Sequence, residues 1–186
     1  MKKLLFVNAC IRDNSRTNEL TRRYLEVMKK EYDIEEVNVS TLNIRPFDAA
    51  ALIKRDEDAV QSRLTAENYP LAHQFAKADC IVIAAPYWDC LFPAILRVYL
   101  EHICVAGITF AYDDNGGLVK TCNADKLIYV TTCGGFLPEH SSLEGFVHEI
   151  GELFSIHDIQ FYAAQGLDVY PDKVQTILEH TLEEMK

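Results

Sequence analysis

Asp79-Cys80-Ile81-Val82-Ile83-Ala84-Ala85-Pro86-Tyr87-Trp88-Asp89-Cys90-Leu91-Phe92-Pro93 is the stretch whose reading decides the fold. Six small or branched apolar residues run from Cys80 to Ala85 without alternation. A strand with one wet face alternates, so this run predicts a central parallel strand covered on both faces. Pro86 cannot donate to a strand ladder and ends it. Two adjacent aromatics, Tyr87 and Trp88, then stand at the strand's carboxyl end, where open α/β sheets hold their ligands. Pro93 suits the first turn of a helix. Phe92, Leu96, Tyr99 and Ile103 form an apolar stripe along that helix, and Gly107 closes it.

Working outward, residues 3–9 read as a first buried strand and residues 10–17 as a polar loop. A helix over residues 18–31 follows from the spacing of Leu20, Tyr24, Val27 and Met28, with Ser15, Thr17 and Asn18 as candidate caps. Residues 33–39 suit a strand nearer the sheet edge. Residues 48–77 carry a long polar helical pattern broken at Asn68-Tyr69-Pro70. Beyond the central strand, residues 108–118 form a loop or hairpin, and residues 126–132 another buried strand. Ser141-Ser142-Leu143-Glu144 has capping-box spacing ahead of a helix burying Leu143, Phe146, Val147, Ile150 and Phe154. Residues 159–165 make a last strand, and Pro171 opens a final helix with Val174, Ile177, Leu178, Thr181, Leu182 and Met185 on one face. Five strands thus alternate with helices. That order predicts a single α/β domain over residues 1–186, a parallel sheet with helices on both faces and right-handed crossovers.

The chain's 186 residues carry a net charge of −10, which argues against nucleic acid or an anionic membrane as the main partner. No secretory leader is visible, and no stretch approaches the roughly 18 apolar residues of a membrane span, so a cytoplasmic location is expected. The six cysteines include no Cys-x-x-Cys pair and read as reduced core thiols. His140 and His148 lie eight apart and no Cys/His cluster has ligand spacing, so no metal is expected.

Three loops could carry chemistry. The first strand leads not into Gly-x-Gly-x-x-Gly but into Cys10-Ile11-Arg12-Asp13-Asn14-Ser15-Arg16-Thr17-Asn18, and no glycine precedes Ile103. Hydroxyls, an amide and two arginines at a helix N-terminus suit a phosphate monoester; plain capping is the alternative. Residues 86–93 offer ring faces and backbone N–H groups to a flat heterocycle, or simply pack on a neighbour. Thr132-Cys133-Gly134-Gly135-Phe136 allows close backbone approach, or is a simple turn. Each loop follows a strand, so all three gather at one sheet edge. A phosphate on one and a planar ring on the others are the parts of FMN.

The combination resembles the flavodoxin-like NAD(P)H:quinone reductases and FMN-dependent NADH azoreductases. The matching residues are Ser15-x-Thr17-Asn18, Pro86-Tyr87-Trp88-Asp89 with Pro93, Gly107-Ile108-Thr109-Phe110-x-Tyr112, and Thr131-Thr132-Cys133-Gly134-Gly135. The resemblance implies a flavodoxin-like three-layer sandwich with a five-stranded parallel sheet of order 2-1-3-4-5. FMN would sit at the switch between strands 1 and 3. Cys10, Arg12, Ser15, Thr17 and Asn18 would line its phosphate side, and Pro86, Tyr87, Trp88, Asp89, Thr132, Cys133, Gly134 and Gly135 its ring. Tyr112 and Phe136 would meet the substrate. A homodimer is implied, with the active sites at its interface.

The chain leaves the family pattern at Trp88-Asp89-Cys90, where an aromatic–asparagine–phenylalanine run is common. Leu137 stands where several relatives carry a histidine, leaving His140 as the nearby histidine that could stabilise charge at flavin N1 and O2. A solvated loop histidine is the alternative. The expected activity is ping-pong hydride transfer from NAD(P)H through FMN to a small acceptor such as a quinone or azo compound. Its rivals are a flavodoxin-type electron carrier and a flavin-free binding module on the same scaffold.

Overall fold

Cys80–Ala84 forms the central strand β3, and all of its residues are buried. The computed structural model describes residues 1–186. β3 lies between β1 (Lys2–Asn8) and β6 (Lys126–Thr132), with β2 (Tyr32–Asn38) and β7 (Asp158–Ala164) at the edges. All four pairings are parallel and the order is β2-β1-β3-β6-β7. With the short hairpin β4 (Ala111–Tyr112) and β5 (Leu118–Val119) set aside, this is the expected 2-1-3-4-5 order.

Side chains alternate between the two layers. Leu4, Phe6, Cys80 and Val82 face α1 (Arg16–Met28) and α6 (Val174–Glu184), packing on Leu20, Tyr24, Leu178 and Leu182. Leu5, Val7, Ile81 and Ile83 face α3 (Pro70–Lys77), α4 (Ala94–Ile103) and α5 (Ser142–Leu153), packing on Phe75, Leu96, Tyr99 and Val147. A central strand buried on both faces explains the absence of alternation in its sequence.

Several boundaries differ from expectation, each for a local reason. Helix α1 starts two residues early because Ser15 caps it, its Oγ accepting from the Asn18 N–H at 3.2 Å. Helix α4 ends at Ile103, short of Gly107, where the buried Thr109 hydroxyl donates to the Ile103 carbonyl at 2.6 Å and accepts from the Val105 N–H at 3.2 Å. Pro93 is the residue before that helix rather than in its first turn. Ser141 caps α5 from the Leu143 N–H, and Phe146 and Ile150 are only half-buried. Pro171 opens a 3₁₀ turn that precedes α6.

The long pattern over residues 48–77 splits earlier than Pro70, because α2 (Ala49–Val60) stops at Val60. Asp58 near its end is 1% exposed and accepts from Lys54, Arg63 and Tyr69. Those bonds, from Lys54 first and then Arg63, lower its carboxyl to about 2. α2 places none of its apolar side chains in the main clusters, and it leaves Ile53 and Val60 exposed. No helix is long and apolar enough to cross a membrane.

Candidate functional site

The carboxyl ends of β1, β3 and β6 open onto a cavity of about 380 Å³, the lower part of the roughly 300–1,000 Å³ range of small-molecule sites. Its wall joins Arg12, Ser15, Arg16 and Thr17 to Pro86, Tyr87 and Trp88, and to Thr132, Cys133 and Gly134. The three loops meet because backbone bonds carry the sheet ladder past its strands. The Ala9 N–H reaches the Ala84 carbonyl at 2.8 Å, that of Tyr87 the Thr132 carbonyl at 3.1 Å, and that of Cys133 the Ala164 carbonyl at 3.0 Å.

On the α1 side, the polar side chains are already engaged. The Thr17 and Thr132 hydroxyls share a 2.7 Å hydrogen bond, Ser15 Oγ caps the helix, and Asn18 Oδ1 accepts from Asn8 Nδ2 at 3.4 Å. What remains free are the backbone N–H groups of Arg16 and Thr17, which have no acceptor in the chain, at the positive end of the helix dipole. Arg12 adds a guanidinium 5.3 Å from the centre of the Trp88 ring, linking this side to the aromatic loop. Cys10 is buried beside the cavity rather than in its wall. Burial pushes its thiol up to about 11, and Sγ leans on the Ala84 carbonyl at 3.7 Å.

Opposite, residues 88–91 fold into a tight turn with reciprocal Trp88–Leu91 backbone bonds of 3.2 and 2.8 Å. Asp89 and Cys90 take φ of +49° and +67° at its tip, a region that non-glycine residues enter at a cost of about 1–2 kcal/mol each. Both are exposed, so Asp89 lies outside the wall and Cys90 departs from the expectation of buried thiols. Burial and the adjacent Cys90 raise the Tyr87 phenol, keeping it protonated.

Cys133 is buried, and its Sγ donates to the Gly135 carbonyl at 3.2 Å. Burial raises that thiol, so it is not held as a thiolate. The N–H groups of Gly134 and Gly135 have no acceptor in the chain. At Gly134 a Cβ would fall 2.1 Å from Asp168 Oδ2, so a side chain there would have to displace that carboxylate.

A fourth loop went unforeseen. After β7, the N–H groups of Leu167 and Asp168 donate to the Cys133 and Gly134 carbonyls at 3.2 and 2.9 Å. Leu167 and Asp168 thereby join the wall, as do Ile11 and Asn14. Gly166, at φ +76°, makes the turn that permits it. Asn18, Gly135, Phe136, His140 and Tyr112 do not line the cavity. Phe136 is 60% exposed and packs edge-on against Tyr170, Tyr112 is 60% exposed on the β4–β5 hairpin, and His140 is exposed.

The model of a family with the flavodoxin-like fold matches residues 2–186. The chain belongs to the flavodoxin-like family. Within that family it is 34% identical to an FMN-dependent NADH:quinone oxidoreductase of Clostridium beijerinckii, over 100% of this chain and 97% of that protein. It is 30% identical to FMN-dependent NADH:quinone oxidoreductase 2 of Clostridium acetobutylicum, with the same coverage. Among solved structures, an azoreductase from Bacillus anthracis Sterne superposes with a TM-score of 0.84 at 23% identity, covering 100% of this chain and 97% of that one. An FMN-dependent NADH-azoreductase from Bacillus anthracis Ames Ancestor, in complex with FMN, gives 0.80 at 20% identity, over 100% and 98%. At these identities the structural likeness speaks for the flavodoxin-like fold.

Proposed function

We propose that this flavodoxin-like protein is an FMN-dependent oxidoreductase that passes hydride from NAD(P)H to a quinone, azo compound or similar small acceptor. The observation that carries the reading is one cavity wall joining free N–H groups and two arginines to an aromatic loop and a glycine-lined loop. Those parts fit FMN: the helix N-terminus suits a phosphate, and the aromatic and glycine walls suit a planar ring. The whole-length likeness to FMN-dependent NADH:quinone oxidoreductases supports the same reading.

When bound, FMN supplies the hydride chemistry. The chain's residues bind and orient it. The N–H groups of Arg16 and Thr17, with the guanidinium groups of Arg12 and Arg16, hold the phosphate; Ser15 and Asn18 shape that turn through the cap. Pro86, Tyr87 and Trp88 form one wall for the ring. Thr132, Cys133 and Gly134 form the other, where the free Gly134 N–H group can donate to a ring acceptor. The exposed Tyr112 and Phe136 are open to a substrate or a second subunit. The protein acts as a single cytoplasmic domain that pairs into a homodimer, and donor and acceptor use the site in turn.

The test is to load the purified protein with FMN and follow nucleotide oxidation with NADH and NADPH, with and without a benzoquinone. Acceptor-dependent oxidation is expected. An FMN-loaded protein that oxidises neither nucleotide is an electron carrier, and a protein that takes up no FMN is neither.

A further inference from the structure

Resting on the FMN reading, we infer that Asp168 acts as a built-in stand-in for the phosphate: it holds Arg16 until the phosphate displaces it, and so weakens the grip on FMN. Arg16 is the first residue of α1 and Asp168 follows β7, yet Arg16 Nη1 lies 2.8 Å from Asp168 Oδ1. Both residues line the cavity. Asp168 cannot easily withdraw its main chain, because its N–H is fixed to the Gly134 carbonyl at 2.9 Å and that of Leu167 to Cys133 at 3.2 Å. Gly134 has no side chain to keep the carboxylate off this wall.

The charges then decide the direction. The N–H groups of Arg16 and Thr17 attract an anion, and Arg16 is one of two guanidinium groups at the cavity, but Asp168 already satisfies it. A phosphate seated at the helix N-terminus takes Arg16 in a stronger, bidentate contact and meets the Asp168 carboxylate as a like charge. The ion pair is exposed on both sides, at 42% and 73%, so it is weak enough to exchange. A ligand without a phosphate has no need to break it.

The experiment compares dissociation constants of the apoprotein for FMN and for riboflavin, read from flavin fluorescence quenching. Asp168→Asn is expected to tighten FMN by roughly fivefold, the size expected when an exposed ion pair no longer has to be broken, and to leave riboflavin unchanged. Asp168→Ala should act in the same direction, which guards against an effect peculiar to the amide. Arg16→Gln should weaken FMN and remove the benefit of Asp168→Asn in the double variant. Weaker FMN binding in Asp168→Asn would mean that the carboxylate positions Arg16 for the phosphate, and would overturn the inference. Unchanged FMN affinity, or equal shifts for FMN and riboflavin, would do the same. Wild-type protein that binds no FMN at all would instead sink the reading of the site itself.

Discussion

Replacing Thr17 with valine separates structure from ligand binding at the α1 terminus. Thr17 is fully buried and Thr132 is 8% exposed, and their hydroxyls meet at 2.7 Å across the junction of α1 with the end of β6. Valine preserves shape but leaves the Thr132 hydroxyl buried with no other partner in the chain. Such an unsatisfied group costs about 1–3 kcal/mol. For a domain of this size each kcal/mol moves Tm by roughly 2–4 °C, so Thr17→Val should lower the apoprotein's Tm by roughly 2–12 °C. Thr132→Val should do likewise. The double variant, with neither hydroxyl stranded, should lose clearly less than the sum, giving a coupling of about 0.5–3 kcal/mol. Thermal unfolding followed by circular dichroism measures all three. FMN affinity below the transition should be retained, because the Thr17 N–H is untouched. A Tm within about 1 °C of wild type, or additive losses, would refute the hydroxyl bridge.

Other expectations follow from buried groups. The Asp58 carboxyl is depressed from 3.8 to about 2, so its contribution to stability is full above the unfolded value and fades as pH falls through the folded one. Asp58→Asn should therefore lower the urea midpoint near neutral pH and flatten its dependence between those values; an unchanged acid limb would contradict this. The Tyr129 hydroxyl is buried without a partner while its ring stacks on Phe161 at 5.6 Å, so Tyr129→Phe should be neutral or stabilising by up to about 1 kcal/mol in the same assay. Burial raises the thiols of Cys80 and Cys122 to about 12 and that of Cys104 to about 11, whereas Cys90 is exposed. Iodoacetamide should label Cys90 first in the native protein, and rapid labelling of Cys133 would contradict the buried, protonated thiol described for it.

The layered sheet was legible because periodicity reports burial. The unalternating run at Cys80–Ala84 and the apolar stripes of α1, α4, α5 and α6 place the core, and short connections leave few topologies. Helix ends were less legible, since Thr109 stops α4 from six residues beyond it and no propensity encodes that reach. The same limit applies at the site. Ser15, Tyr87, Trp88 and Gly134 sit in loops whose chemistry can be read locally. The hydroxyl of Thr17 looks free in sequence, but it meets a partner 115 residues away. Asp168 carries no motif at all. It enters the wall only because β7 lies beside β6 and the loops that follow them are hydrogen-bonded together.

Anaerobic stopped-flow mixing of the FMN-loaded protein with NADH, then with a benzoquinone, tests the central claim most directly. The account predicts that the flavin absorbance bleaches fully without acceptor present and returns when the quinone is added, so that the two half-reactions run separately. A flavin that stays oxidised both after mixing with NADH and after mixing with NADPH would contradict it.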